Sequence, residues 1–154
     1  MSYTTSKAQA AILIVLSIGP VTGTSSPTFV PIFELSAAPI DGQTWEKEET
    51  SNFNSGITKE YLKTMLDSGT MELQGNRVSS DAGQTALRAA FLDPALSYMF
   101  TLSYPKAAGQ TTSGDMEAFS ALVMSMNTEI TTGKVIKIKT TLQRTGPVTL
   151  TEGS

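Results

Sequence analysis

The sequence predicts an α+β chain, mainly antiparallel β, in which two sheets form a sandwich or small barrel and one helix, at about 81–92, packs on its side. Three observations support this. Strand-like alternation recurs along the chain and is clearest at 97–104, where Tyr98, Phe100, Leu102 and Tyr104 alternate with Met99, Thr101 and Ser103. A single stretch has a helix start, an Ala- and Leu-rich interior and a stop. The length of 154 residues suits one domain, 1–154, able to bury roughly 70% of the surface its unfolded chain exposes.

In chain order, residues 1–7 read as a polar N-terminal arm with nothing to bury. The apolar run at 8–18 reads as a fully buried strand, with Ile12, Ile14 and Val15 β-branched and Gly19-Pro20 ending it. A signal-peptide core cleaved near Gly23 is the alternative. A charged region of one lysine disfavours it, and the run is too short to span a bilayer. Residues 21–27 form a loop by their Gly, Thr, Ser and Pro content. Residues 29–35 are apolar again, but Pro31 cannot donate to a ladder, which predicts an edge strand or a broken one. The long loop at about 41–68 shows no clean period. It holds Trp45, the cluster Glu46-Lys47-Glu48-Glu49, and a possible pair of helical turns at 59–66 with Tyr61, Leu62, Met65 and Leu66 on one side.

From Gly69, Thr70, Glu72 and Gln74 alternate with Met71 and Leu73, a strand ended by Gly75 and Asn76. Asp81 then sits where an N-cap belongs, with Gln84 three residues on to reach back to it. The helix interior sets Leu87 and Phe91 one turn apart beside Ala86 and Ala90, and Pro94 stops it. Residues 107–114 are a turn region. The run at 116–127 is apolar on both faces, so both should be covered. After a turn at 131–133, a strand at 134–142 turns Ile136, Ile138 and Leu142 inward and Lys137 and Lys139 outward, making a hairpin with its predecessor. Residues 145–154 read as a polar, loosely specified C-terminal arm.

The chain has no cysteine and no histidine, which removes disulfides, zinc fingers, thiol nucleophiles and imidazole catalysis. Any metal site would be all oxygen. A net charge of −3 without a basic cluster argues against tight binding to a phosphate backbone. No GxGxxG or P-loop occurs. Glu46, Glu48, Glu49 and Glu60 offer paired carboxylates for glycoside hydrolysis, but a solvated loop lacks the rigid, partly buried setting such groups need, and the solvated reading is favoured. Trp45 either packs back on its own domain or anchors a partner; Phe53 and Tyr61 in the same loop favour the partner.

The stretch 53–91 resembles the major tail tube proteins of long-tailed, siphovirus-like bacteriophages. The resemblance lies in Glu60-Tyr61-Leu62, Asp67-Ser68-Gly69, Glu72 with Gly75-Asn76, and Asp81-Ala82-Gly83-Gln84. Leu142-Gln143-Arg144-Thr145-Gly146-Pro147-Val148 is similar to the C-terminal stretch of those chains. The resemblance implies a non-enzymatic virion protein without cofactor, polymerising as stacked hexameric rings into the tube through which DNA leaves the capsid without specific binding. Implied partners are other copies of the chain and the tail tip or initiator, tape measure and tail terminator proteins, with no insertion into a membrane. Trp45, Glu46, Lys47, Glu48, Glu49, Phe53 and Tyr61 are then the ring-stacking residues, and Glu72, Gly75, Asn76, Asp81, Gly83, Gln84, Leu87 and Phe91 the family-motif strand and helix. The alternatives are the ring protein of a type VI secretion tube and, in a different class, a secreted carboxylate enzyme or carbohydrate-binding domain.

Overall fold

A three-residue link decides the architecture. The computed structural model describes residues 14–154. Its strands are β1 (Val15–Val21), β2 (Val30–Pro31), β3 (Leu35–Ala37), β4 (Thr44–Glu49), β5 (Tyr61–Asp67), β6 (Thr70–Asn76), β7 (Tyr98–Ser103), β8 (Met116–Glu129) and β9 (Lys137–Thr151), with helix α1 (Ala82–Leu92) between β6 and β7. Seven of them form one antiparallel sheet in the order β2-β1-β7-β8-β9-β6-β3. β2 and β3 lie at its opposite edges, yet only residues 32–34 separate them. So short a link forces the sheet to curl until its edges meet, which gives a barrel.

The link itself fixes the closure. The Ile32 amide donates to the Leu16 carbonyl at 2.8 Å, and the Asn76 amide donates to the Glu34 carbonyl at 2.9 Å. Glu34 turns the corner with φ 62. The barrel is filled by alternate residues of its strands: Leu16 and Ile18, Met71 and Leu73, Phe100 and Leu102, Phe119 and Ala121, and Leu142. Phe100 and Phe119 face each other in register and stack with centroids 5.7 Å apart. Helix α1 lies across β1, β2 and β8 and buries Leu87 and Ala90. The expected fold class holds: mainly antiparallel β, two sheets and one flanking helix. The smaller sheet is β4 paired with β5 alone.

Several expectations are corrected. Residues 8–13, with the N-terminal arm, lie outside the described residues. The first strand does not stop at Gly19-Pro20 but runs to Val21, because a register shift between Ile18 and Val21 accommodates the proline that cannot donate. Residues 29–35 are broken as predicted, into the two edge strands, with Pro31 on an edge. Residues 59–66 form no helix. An uncapped turn or two of helix is marginal alone, whereas β5 gains a ladder against β4, with Trp45 opposite Leu66, Glu48 opposite Leu62 and Glu49 opposite Tyr61.

The C-terminal residues were expected to be an arm, but most belong to β9. Residues 145–151 pair with the first half of the long β8, Thr145 with Ser120, Thr149 with Ala118 and Thr151 with Met116. Gly146, at φ 72, and Pro147 sit where the register shifts. β8 covers one face only: Phe119, Ala121 and Val123 point inward, while Met116 and Met124 stay exposed. Ile136 precedes β9 and is exposed; the inward set is Ile138, Thr140, Leu142 and Arg144.

Candidate assembly surface

Every residue of β4 and β5 is exposed, so the hairpin stands away from the barrel. It is nevertheless ordered from within. Lys47 Nζ sits 4.7 Å from the Tyr61 ring centroid and Lys63 Nζ 5.5 Å from that of Trp45. Lys59 pairs with Glu49 at 3.6 Å. The connection between the strands is a bonded turn: the Asn54 amide donates to Asn52 Oδ1 at 2.8 Å, Ser55 Oγ donates to Glu60 Oε2 at 3.0 Å, and the Glu60 amide donates to Ser51 Oγ at 2.9 Å. At its tip Phe53 and Ile57 are fully exposed. The predicted stacking residues Trp45, Glu46, Lys47, Glu48, Glu49, Phe53 and Tyr61 thus share one hairpin. Its three aromatics are spread along it: Trp45 near the root, Tyr61 beyond mid-length and Phe53 at the tip.

The root of the hairpin is held tightly. The Asp41 amide donates to the Thr70 carbonyl at 2.9 Å, and Thr70 Oγ1 donates to Asp41 Oδ2 at 2.9 Å. Arg144 Nη2 donates to the Asp41 carbonyl at 3.1 Å, and its own amide donates to the Gly69 carbonyl at 3.0 Å. Ser68 Oγ donates to the Gly146 carbonyl. Gly69 has φ +80, and a Cβ there would lie 2.2 Å from the Asp41 carbonyl oxygen. Arg144 is only 5% exposed, lies 5.7 Å from the Phe119 ring, and its Nε has no partner among the described residues. In the sequence Arg144 figures only in the C-terminal resemblance, with no role at the hairpin's root. The signal was present, since Arg144 continues the inward parity of Ile138, Thr140 and Leu142.

Of the residues that carried the resemblance, Gly75, Asn76, Asp81, Gly83 and Gln84 form a joint within the fold. Asp81 caps α1, accepting from the Gln84 amide at 2.9 Å. The Gln84 side chain does not return to the cap as expected. It is buried, accepts from the Val78 amide at 3.0 Å, and donates to the carbonyls of Asn76 at 2.9 Å and Phe33 at 3.2 Å. It therefore ties the end of β6, the 32–34 link and α1 together. Gly75 and Gly83 let backbones meet there: a Cβ on either would come within 2.3 Å of the Glu34 or the Pro31 carbonyl oxygen. Asn76 Nδ2 donates to Glu34 Oε2 at 3.0 Å. Glu72 pairs with Lys139 at 3.1 Å, and hydrogen bonds from Gln74 and then Lys139 hold its carboxyl below the usual range. Leu87 is core, whereas Phe91 is partly exposed.

At the other end of β8, burial and then the Glu117 carboxylate push the Tyr104 phenol up to about 12, with Tyr104 Oη donating to Glu117 Oε2 at 3.0 Å. Asp115 accepts from the Gly153 amide and from Gln110, which lowers its pKa. Glu46, Glu48, Glu49 and Glu60 lie along the exposed hairpin and its turn, not in a cleft. Among the described residues no group of His, Cys, Asp and Glu is placed to hold a metal ion. No helix among them is long and apolar enough to cross a membrane.

The fold, a curled antiparallel sheet flanked by one helix and carrying a free hairpin, is shared with solved structures from phage tails and tubes. The chain is similar to the tail of an empty gene transfer agent (GTA) particle, refined helically with C6 symmetry: TM-score 0.68, 16% identity, covering 94% of this chain and 99% of that one. It is also similar to the SPP1 tail tube, with TM-score 0.64, 12% identity and coverage of 92% and 77%. The tube-terminating cap of the anti-feeding prophage matches with TM-score 0.69 and 12% identity over 99% of this chain and 97% of that one. At such identities it is the fold that is shared, over nearly the whole chain. No protein-family model matches the sequence, and a search of the curated proteins finds no match.

Proposed function

We propose that the chain is a structural tube subunit, which assembles as hexameric rings stacked into the tail tube of a phage or phage-derived particle. The observation that carries this is the hairpin: 4 apolar residues of β5 (Tyr61, Leu62, Met65 and Leu66) and Trp45 of β4 are exposed on an ordered element that adds nothing to its own core. Isolated two-stranded hairpins are marginal in water, and one this apolar is suited to burial against another molecule. The barrel's outer face adds to this with Met116, Met124 and Leu150 exposed along the β8–β9 ladder. Repeated head to tail, such contacts do not close and so build a filament.

In this reading the tube is the conduit for DNA between capsid and host, and its partners are its own copies and the proteins that start, measure and terminate the tail. The subunit resides in the virion and is made in the host cytoplasm. No catalytic step is required of it. The similar structures include the tail of a gene transfer agent particle, the SPP1 tail tube and the sheath/tube terminator of a contractile injection system, which supports a place in a tube or at its end. Electron microscopy of the concentrated protein, alone and with a tail-initiation complex, should show rings or hollow tubes; monomers under both conditions would overturn the reading.

A further inference from the structure

A groove lies at the far end of β6 from the hairpin's root. It lies between α1 and the β8–β9 ladder, is half open with a volume of about 250 Å³, and is lined by Phe91, Leu92, Met126 and Ile138 together with Arg77 and Arg88. That volume is below the roughly 300–1,000 Å³ of small-molecule sites and suits an apolar side chain. Neither arginine forms an ion pair among the described residues, where the ion pairs are Lys59–Glu49 and Lys139–Glu72. Nearby Lys137 faces Glu129 across the ladder.

The hairpin tip is the complement. Phe53 and Ile57 are its most exposed apolar side chains. Between residues 47 and 61 the tip carries Glu48, Glu49 and Glu60 against Lys47 and Lys59, a small acidic excess. Position agrees with chemistry. The hairpin's root is bonded to Thr70 at the start of β6, and the groove borders Arg77, just past Asn76 at its end. At about 3.3 Å per residue, β6 separates root and groove by roughly 20 Å. A tip offered at one end and a receptor at the other make a heterologous, non-closing contact.

We infer that the hairpin tip of one copy seats in this groove of a copy in the next ring, Phe53 and Ile57 against Phe91, Leu92 and Met126, with Arg77 and Arg88 meeting the tip carboxylates. The inference rests on the tube reading and names the receptor for its stacking contact. The absence of cysteine from the chain gives a clean test. Phe53→Cys with Leu92→Cys, both exposed positions, is assembled and oxidised. Disulfide-linked ladders on a non-reducing gel, absent from either single variant, are the expected result. Tubes visible by electron microscopy without a ladder overturn the pairing and leave the tube reading standing, the groove then serving another partner. A wild-type chain that forms neither rings nor tubes overturns both. If Phe53→Cys stops growth, Asn54→Cys beside it gives the same readout. Independently, Arg77→Glu with Arg88→Glu should lower the yield of tubes at least tenfold while the subunit stays folded; undiminished yield contradicts the charge contact.

Discussion

Arg144 holds the hairpin's direction from inside the barrel. A buried guanidinium is costly to desolvate, and its exchange for an apolar residue of similar length is often near neutral for stability. Arg144→Met should therefore leave the barrel folded while freeing the Asp41 carbonyl at the root. Trp45 is the only tryptophan, so its fluorescence anisotropy reports the hairpin alone. We expect it to fall in Arg144→Met, and an unchanged value would show that the root is held without the arginine. Gln84 is the opposite case, because three backbone groups depend on it. Gln84→Leu leaves them unpaired, which should cost about 2–3 kcal/mol and lower the melting midpoint by roughly 4–12 °C.

The Tyr104 phenol titrates at about 12 in the fold and near 10 when unfolded. Its contribution is thus complete below about pH 10 and is lost as pH rises from there towards 12. Urea midpoints of the wild type should fall over that window more steeply than those of Tyr104→Phe, and parallel curves would contradict the assignment. None of these roles is visible in the residues' immediate sequence neighbours. Asp81 was legible as a cap because capping is a local contact. Gln84 was read as part of that cap because its partners lie outside the helix: the Val78 amide, the Asn76 carbonyl and the Phe33 carbonyl, the last 51 residues away.

Among elements, α1 and β6 were readable because their own periods match their burial. Met71 and Leu73 alternate with Thr70, Glu72 and Gln74 just as buried and half-buried positions do. β5 was not readable, since a strand exposed on both faces imposes no period of two, and its apolar residues fell at a helical spacing by chance. The end of β9 was hidden for a related reason. Residues 145–151 form a strand because β8 presents the edge they pair with, and that edge is a property of the fold. Because the hairpin is built on its own contacts, Trp45→Ala should change stability by no more than about 0.5 kcal/mol and yet prevent assembly. Loss of folding in this variant would make the hairpin part of the core.

For the molecule as a whole, one curled sheet closed by a three-residue link provides a self-contained barrel, and a free hairpin projects from it. The fold class was available from strand count, length and the single capped helix. Closure was not, because it follows from β2 and β3 taking opposite edges, which their short sequences do not specify. On the proposed tube reading the hairpin is required for assembly and dispensable for folding, while the barrel folds without it and supplies the receiving face. The most direct measurement is paired calorimetry and electron microscopy on a variant in which residues 44–67 are replaced by a two-residue Asn-Gly turn. A cooperative melt within a few degrees of the wild type is expected, with no tubes under conditions where the wild type forms them. A variant that fails to fold, or that still builds tubes, would contradict it.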